Sequence, residues 1–84
     1  MAKNSILKYK NRSTGKLVSA MFYESINDFT TLKQFIGDVI PNITPAHTRI
    51  YENQWVIRTA EDNVMFMSCS HGDKCFEQAY ELVR

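Results

Sequence analysis

One stretch constrains this chain more than any other. Phe29, Leu32, Phe35, Ile36, Val39 and Ile40 recur at steps of three and four residues between Asp28 and Pro41. That spacing predicts an amphipathic helix with one apolar face. Ser25, Asn27 and Asp28 are candidate N-caps. Pro41 ends the helix, and Gly37 either sits within it or marks an earlier stop at Ile36. Such a stripe needs an apolar surface to bury against, and the flanking segments read as strands that supply one.

Ser5–Lys10 and Lys16–Tyr23 predict a hairpin, joined by the turn chemistry of Asn11-Arg12-Ser13-Thr14-Gly15. Leu17-Val18-Ser19-Ala20-Met21-Phe22-Tyr23 is apolar enough for a central strand. After the loop at Asn42–Ala46, Thr48–Tyr51, Gln54–Thr59 and Val64–Cys69 predict three more strands, with turns at Glu52-Asn53 and Ala60-Glu61-Asp62-Asn63. Ser70 and Asp73 are spaced as a capping box for a last helix, with Phe76, Ala79, Tyr80 and Val83 on one face. The expected fold is α+β in the order β-β-α-β-β-β-α: an antiparallel sheet of about five strands with two helices on one face. Phe29, Leu32, Ile36, Val56, Phe76 and Tyr80 are expected in one core.

The chain has 84 residues, which predicts a single domain over 1–84. It has no internal repeat, low-complexity tract or linker. A core of this size buries roughly 60–65% of the unfolded surface and leaves little room for a deep cleft. The 44% hydrophobic and 23% charged residues exclude disorder. The longest apolar runs, Ala20–Tyr23 and Val64–Met67, fall far short of the roughly twenty residues of a membrane helix. No apolar stretch follows Lys3, which predicts the absence of a signal peptide and a cytoplasmic location.

Candidate sites are few. Cys69-Ser70-His71-Gly72-Asp73-Lys74-Cys75, with His47, offers sulfur and imidazole, but C-x-H-x3-C is not the spacing of structural zinc sites. Cys69 beside His71 could serve as a nucleophile and base; a helix entry with an exposed histidine explains the same residues. In a reducing compartment both cysteines are expected as thiols. The three scattered glycines form no phosphate loop, and Glu61-Asp62 reads as a solvated hairpin tip. Trp55 reads as core. No metal, cofactor or catalytic group is expected.

Charge is the more informative feature. Residues 1–23 carry Lys3, Lys8, Lys10, Arg12 and Lys16 and no acid, whereas residues 24–84 carry five basic and nine acidic groups. A basic arm on an acidic body hints at an anionic partner. Strand alternation sends Lys8 and Lys10 one way and Tyr9 the other, with Arg12 and Lys16 extending the basic edge. Lys8, Tyr9, Lys10, Arg12 and Lys16 are therefore candidate RNA contacts, with Tyr9, Phe22 and Tyr23 as aromatics for base stacking. Lysines that guard an edge strand against aggregation explain the same pattern.

Lys8-Tyr9-Lys10, Val18-Ser19-Ala20-Met21-Phe22-Tyr23, Phe35-Ile36-Gly37, Asn53-Gln54-Trp55-Val56-Ile57 and Phe76-Glu77-Gln78-Ala79-Tyr80-Glu81 form a further pattern. It resembles a group of small bacteriophage proteins with a K-Y-R-K-K-P-like opening, a G-D-Y/W-I-I strand and a C-terminal F-x-x-x-Y-E. Asn53-Gln54 stands in the Gly-Asp place. The resemblance implies a phage gene and an α+β fold, and implies no activity. The functional expectation is a non-catalytic accessory protein that binds and modulates a host macromolecule, for example by inhibiting a defence or toxin component. The alternative is an RNA-binding protein using the N-terminal hairpin, and a minor alternative is a small enzyme with a Cys/His site. The partner is then a host protein or RNA, not a membrane; the oligomeric state is left open, a homodimer included. Protein purified without added metal should contain no stoichiometric zinc by elemental analysis and should titrate as two free thiols; zinc at one per chain would overturn the spacing argument.

Overall fold

The computed structural model describes residues 4–68 and 74–83. The first hairpin pairs β1 (Leu7–Asn11) with β2 (Leu17–Tyr23). Its turn is built by Asn11, whose Oδ1 accepts from the Ser13 and Thr14 amides at 2.8 and 3.1 Å. Gly15 closes the turn at φ +74°, in the left-handed region glycine enters without a Cβ penalty.

After β2 the chain turns at Ser25. Its hydroxyl accepts from the Asn27 amide while the Asp28 carboxylate accepts from the Ser25 and Glu24 amides, a capping box on a short 3-10 turn over Ile26–Asp28. The α1 helix follows directly over Phe29–Ile36, so the earlier of the two expected stops is the one adopted. At Gly37 the backbone folds so tightly that an added Cβ would collide with the Lys33 carbonyl oxygen.

Thr48–Tyr51, expected as a strand, is part of a 3-10 segment over His47–Tyr51. The cause is local. The Thr44 and Pro45 carbonyls accept from the His47 and Thr48 amides, and the Thr48 hydroxyl donates to the Pro45 carbonyl at 2.8 Å. Short-range bonds of this kind offer the backbone an alternative to a sheet ladder. Thr48 is buried, and because its proton is committed to Pro45, the Tyr23 hydroxyl donates to it at 2.7 Å. Asn53, at φ 62°, then redirects the chain into β3 (Gln54–Thr59), which pairs with β4 (Val64–Ser68) through the expected four-residue turn.

The end of the chain departs from expectation. The α2 helix covers only Lys74–Ala79, and Tyr80–Leu82 forms β5 against β1, in the register Tyr9↔Leu82, Lys10↔Glu81 and Asn11↔Tyr80. A six-residue helix has little stability of its own. The free edge of β1 offers backbone partners, and Tyr80-Glu81-Leu82 alternates apolar and polar as a strand should. Among the described residues the order is thus β-β-α-β-β-α-β, with the antiparallel sheet ordered β4-β3-β2-β1-β5. The α+β class and the five-stranded antiparallel sheet are as expected; the position of the last helix is not.

Nor do both helices lie on one face. Val18, Ala20 and Phe22 of β2, with Trp55 and Ile57 of β3, pack with Tyr9, Phe76 and Tyr80. Met21, Tyr23 and Val56 point the other way, into Leu32, Phe35, Ile36 and Ile43. The two central strands are apolar on both sides, so each face needs its own cover. The single expected core is therefore two.

Phe76 anchors the α2 side. Its ring stacks on Trp55 at 3.8 Å between centroids and on Tyr80 at 4.9 Å, and meets Tyr9 edge-on. It is 1% exposed. Phe76→Ala should cost about 3–5 kcal/mol, read as a lowered urea midpoint with an unchanged slope; a cost below about 1 kcal/mol would show that the aromatic stack is not what holds α2 down.

Candidate interaction surface

An α-helix is about 10 Å wide and strands lie about 4.8 Å apart. One helix per face therefore cannot roof five strands. The α1 side of the sheet carries Met21, Tyr23, Val56, Val64 and Phe66 beneath or beside the helix. Toward β1 and β5 the same face presents Lys8 and Lys10, then Leu17 and Ser19 of β2, and Glu81 of β5. The registers Lys8↔Ser19 and Lys10↔Leu17 on one side of β1, and Lys10↔Glu81 on the other, place them in adjacent rows. Leu17 is 52% exposed.

The boundary between roofed and bare sheet is Arg58, opposite Ser19 on β3. Its Nη1 donates to the Phe35 carbonyl, one of the last of α1, at 2.8 Å. Nη1 and Nη2 grip the two Asp38 oxygens at 2.8 Å each, and Nη2 and Nε reach Asp62 at 2.9 and 3.3 Å. The geometry toward Asp38 is the parallel two-bond fork that makes arginine–carboxylate pairs strong. Hydrogen bonding to Arg58 holds the Asp38 carboxyl below its usual value, and bonds to Asp38 and then Asp62 raise the guanidinium further. Lys8, Leu17, Ser19, Arg58 and Asp62 line a shallow groove of about 380 Å³ along this boundary. A second groove of about 410 Å³ opens on the α2 side of the same sheet end, between Asn11, Lys16, Met65 and Tyr80.

The five candidate contacts separate. Lys8 and Lys10 share the bare face as alternation predicts, and both are exposed. Tyr9 is 8% exposed in the opposite core, edge-on to Trp55 and Phe76, so it is removed from any stacking role. Phe22 and Tyr23 are equally buried. Arg12 turns toward the C-terminal segment: its Nε donates to the Glu77 carbonyl at 2.9 Å, and its Nη1 lies 3.8 Å from Glu81. Lys10 approaches the same Glu81 at 3.7 Å. Lys16 lies on the other groove. Among the described residues, Lys8 and Lys16 are the members of this set with no carboxylate in ion-pair range.

Leu17 and Arg58 were not expected here. Leu17 could have been found by placing it opposite Lys10 in the hairpin register. For Arg58 the signal was its four-residue spacing to Asp62 across a turn. Trp55 is core, as its sequence suggests, although its indole N–H has no hydrogen-bond partner among the described residues. Cys69, Ser70, His71, Gly72 and Asp73 lie outside the described residues, as does the Cys75 side chain; His47 is exposed in the 3-10 segment. The described residues contain no cluster of three metal-ligating side chains, and no helix long and apolar enough to cross a membrane. Comparison with known protein families, curated proteins and solved structures found no match to this chain.

The Arg58 fork carries a pH signature. Asp38 has a folded pKa below its ordinary 3.8. The unfolded chain therefore binds the extra proton first, and the contribution is present above the ordinary value and lost as pH falls through the lowered one. The urea midpoint should decline across that window more steeply in the wild type than in Asp38→Asn, and the difference should shrink in high salt because the Asp38 side of the pair is exposed. Superimposable pH profiles for the two proteins would remove Asp38 from the stability of the fold.

Proposed function

We propose that this chain is a non-catalytic binding protein that docks a host protein through the bare half of its α1-side sheet, with Lys8, Lys10, Leu17 and Ser19 as the contact residues. The observation that carries the reading is Leu17: a large apolar side chain, half exposed on a regular strand, set among lysines. An apolar centre with a charged rim is the usual anatomy of a protein contact, and the lysines favour an acidic partner surface. The resemblance to small bacteriophage proteins suggests a phage accessory protein and therefore a bacterial partner, which binding would inhibit or redirect. Asn53 adds modest support, because it takes the positive φ suited to the glycine of that pattern.

RNA binding is the second reading, and the geometry favours it less. Its cations are divided between two faces, two of them lean on Glu81, and its aromatics are buried.

The test is capture from bacterial lysate with and without nuclease, using tagged wild type and a Lys8→Glu, Leu17→Ser double variant. Both substitutions are at exposed positions and should change stability by less than about 0.5 kcal/mol each. A discrete protein should survive nuclease on the wild type and fall at least tenfold on the variant. Mixed RNA at low salt should show no complex. If it binds with a log–log salt slope near −3, reduced by roughly 1.4 in a Lys10→Ala, Arg12→Ala variant, the RNA reading replaces this one.

A further inference from the structure

The two edges of the sheet are unlike. The β5 edge is three residues long, with Glu81 in its centre and Lys10 and Arg12 beside it. Short length and charge are the ordinary protections of an edge. The β4 edge has neither: Val64-Met65-Phe66-Met67-Ser68 contains no charge, proline or bulge. Met65 is 43% exposed there, and Ile50, 72% exposed, immediately precedes Tyr51, whose ring stacks on Phe66 at 4.0 Å.

The ladder shows which β4 groups are free. The Thr59 amide donates to the Asn63 carbonyl, while the Asn63 amide donates to the Thr59 hydroxyl, so Thr59 and Asn63 occupy a bonded position of the ladder. In an antiparallel ladder such pairs alternate with unbonded ones. Carried along the register, Met65 and Met67 exchange bonds with Ile57 and Trp55, whereas Val64, Phe66 and Ser68 turn their N–H and C=O groups outward. Among the described residues nothing pairs with that outer row.

We infer that β4 is the site of self-association, pairing antiparallel with β4 of a second copy about a two-fold axis at Phe66. That register makes Phe66 face its own counterpart and Val64 face Ser68 as bonded pairs. The three pairs would form about six backbone bonds, two each. Met65 then lies opposite the partner copy's methionine at 67 as an unbonded pair, the closer spacing, where flexible thioether side chains fill the joint on the α2 side. The strand is self-complementary because it meets apolar with apolar on both faces and brings no like charges together. The acidic turn at Glu61-Asp62 is carried to opposite ends of the joint, roughly 30 Å from its counterpart at 3.4 Å per residue, beyond a screening length of about 10 Å. A foreign strand could use the same edge, but β4 of a second copy is uncharged and matches it in length.

The inference does not depend on the docking surface, which lies toward the opposite edge. Sedimentation equilibrium of the whole chain from micromolar to submillimolar concentration should show a dimer of twice the 9.8 kDa monomer. Met65→Lys should raise the dimer dissociation constant at least tenfold, as should Ser68→Pro, which removes one outward N–H and none of the bonds to β3. Hydrogen exchange supplies an independent readout: the Val64, Phe66 and Ser68 amides should gain protection as concentration rises, while Met65 and Met67 stay protected throughout. The Lys8→Glu, Leu17→Ser variant should dimerise like the wild type. A chain that remains monomeric at submillimolar concentration, or a dimer indifferent to both β4 variants, would overturn the inference.

Discussion

The pairing of β2 with β3 is the constraint from which the rest of the structure follows. These two strands are apolar on both sides: Phe22 and Trp55 meet edge-to-face on one, and Met21 and Val56 lie opposite each other on the other. A two-sided apolar pair cannot be left to water on either face. With 84 residues the chain has material for one helix per face. Each helix settles over the centre, and the shortage of cover is passed outward to the flanks.

The two shortages fall at opposite ends. The α1 helix sits over β2 and β3, which leaves the β1 and β5 flank bare on that side. The α2 helix leans toward β1 and β3 through Phe76, which leaves Met65 of β4 exposed on its own side. The flanks have been filled differently. Lysines and a glutamate occupy the first, which water solvates readily; methionine occupies the second, which water does not. The Glu81 carboxylate also accounts for part of the charge asymmetry. The basic arm and the acidic body are distant in sequence, but β5 lays Glu81 beside β1, so that Lys10 and Arg12 meet its carboxylate within the molecule. Counting charges along the chain overstates the field that a partner would meet.

What could be read from the sequence divides along the same physical line. Features governed by near neighbours were legible: the Asn11–Gly15 turn, Ser25 among the three candidate caps, and the alternation that separates Lys8 and Lys10 from Tyr9; the helix end was narrowed only to two places, Ile36 or Pro41. The strand at Tyr80–Leu82 was not, because helical spacing and strand alternation are both satisfied there and only the free edge of β1 decides between them. Thr48–Tyr51 failed for the opposite reason: its residues favour a strand, but Pro45 and the Thr48 hydroxyl close a tighter local structure first. The candidate surface was half legible. The lysines stood out by charge, whereas Leu17 gains meaning only when a helix is known to be absent above it, and that is decided by where α1 stops.

Where α1 stops is itself held by Arg58. The guanidinium joins the Phe35 carbonyl at the helix end, Asp38 just past it and Asp62 in the β3–β4 turn. These come from three separate parts of the chain, so the bonds form only when the helix lies in one position along the sheet. A longer helix would displace Asp38 from the fork. The same arginine forms the wall of the groove beside Lys8 and Ser19. The length of one helix thus determines both how much core is closed on that face and how much strand remains open beside it. Burial and exposure on the α1 side are two consequences of a single arginine with every donor direction occupied by α1, its cap or the neighbouring turn.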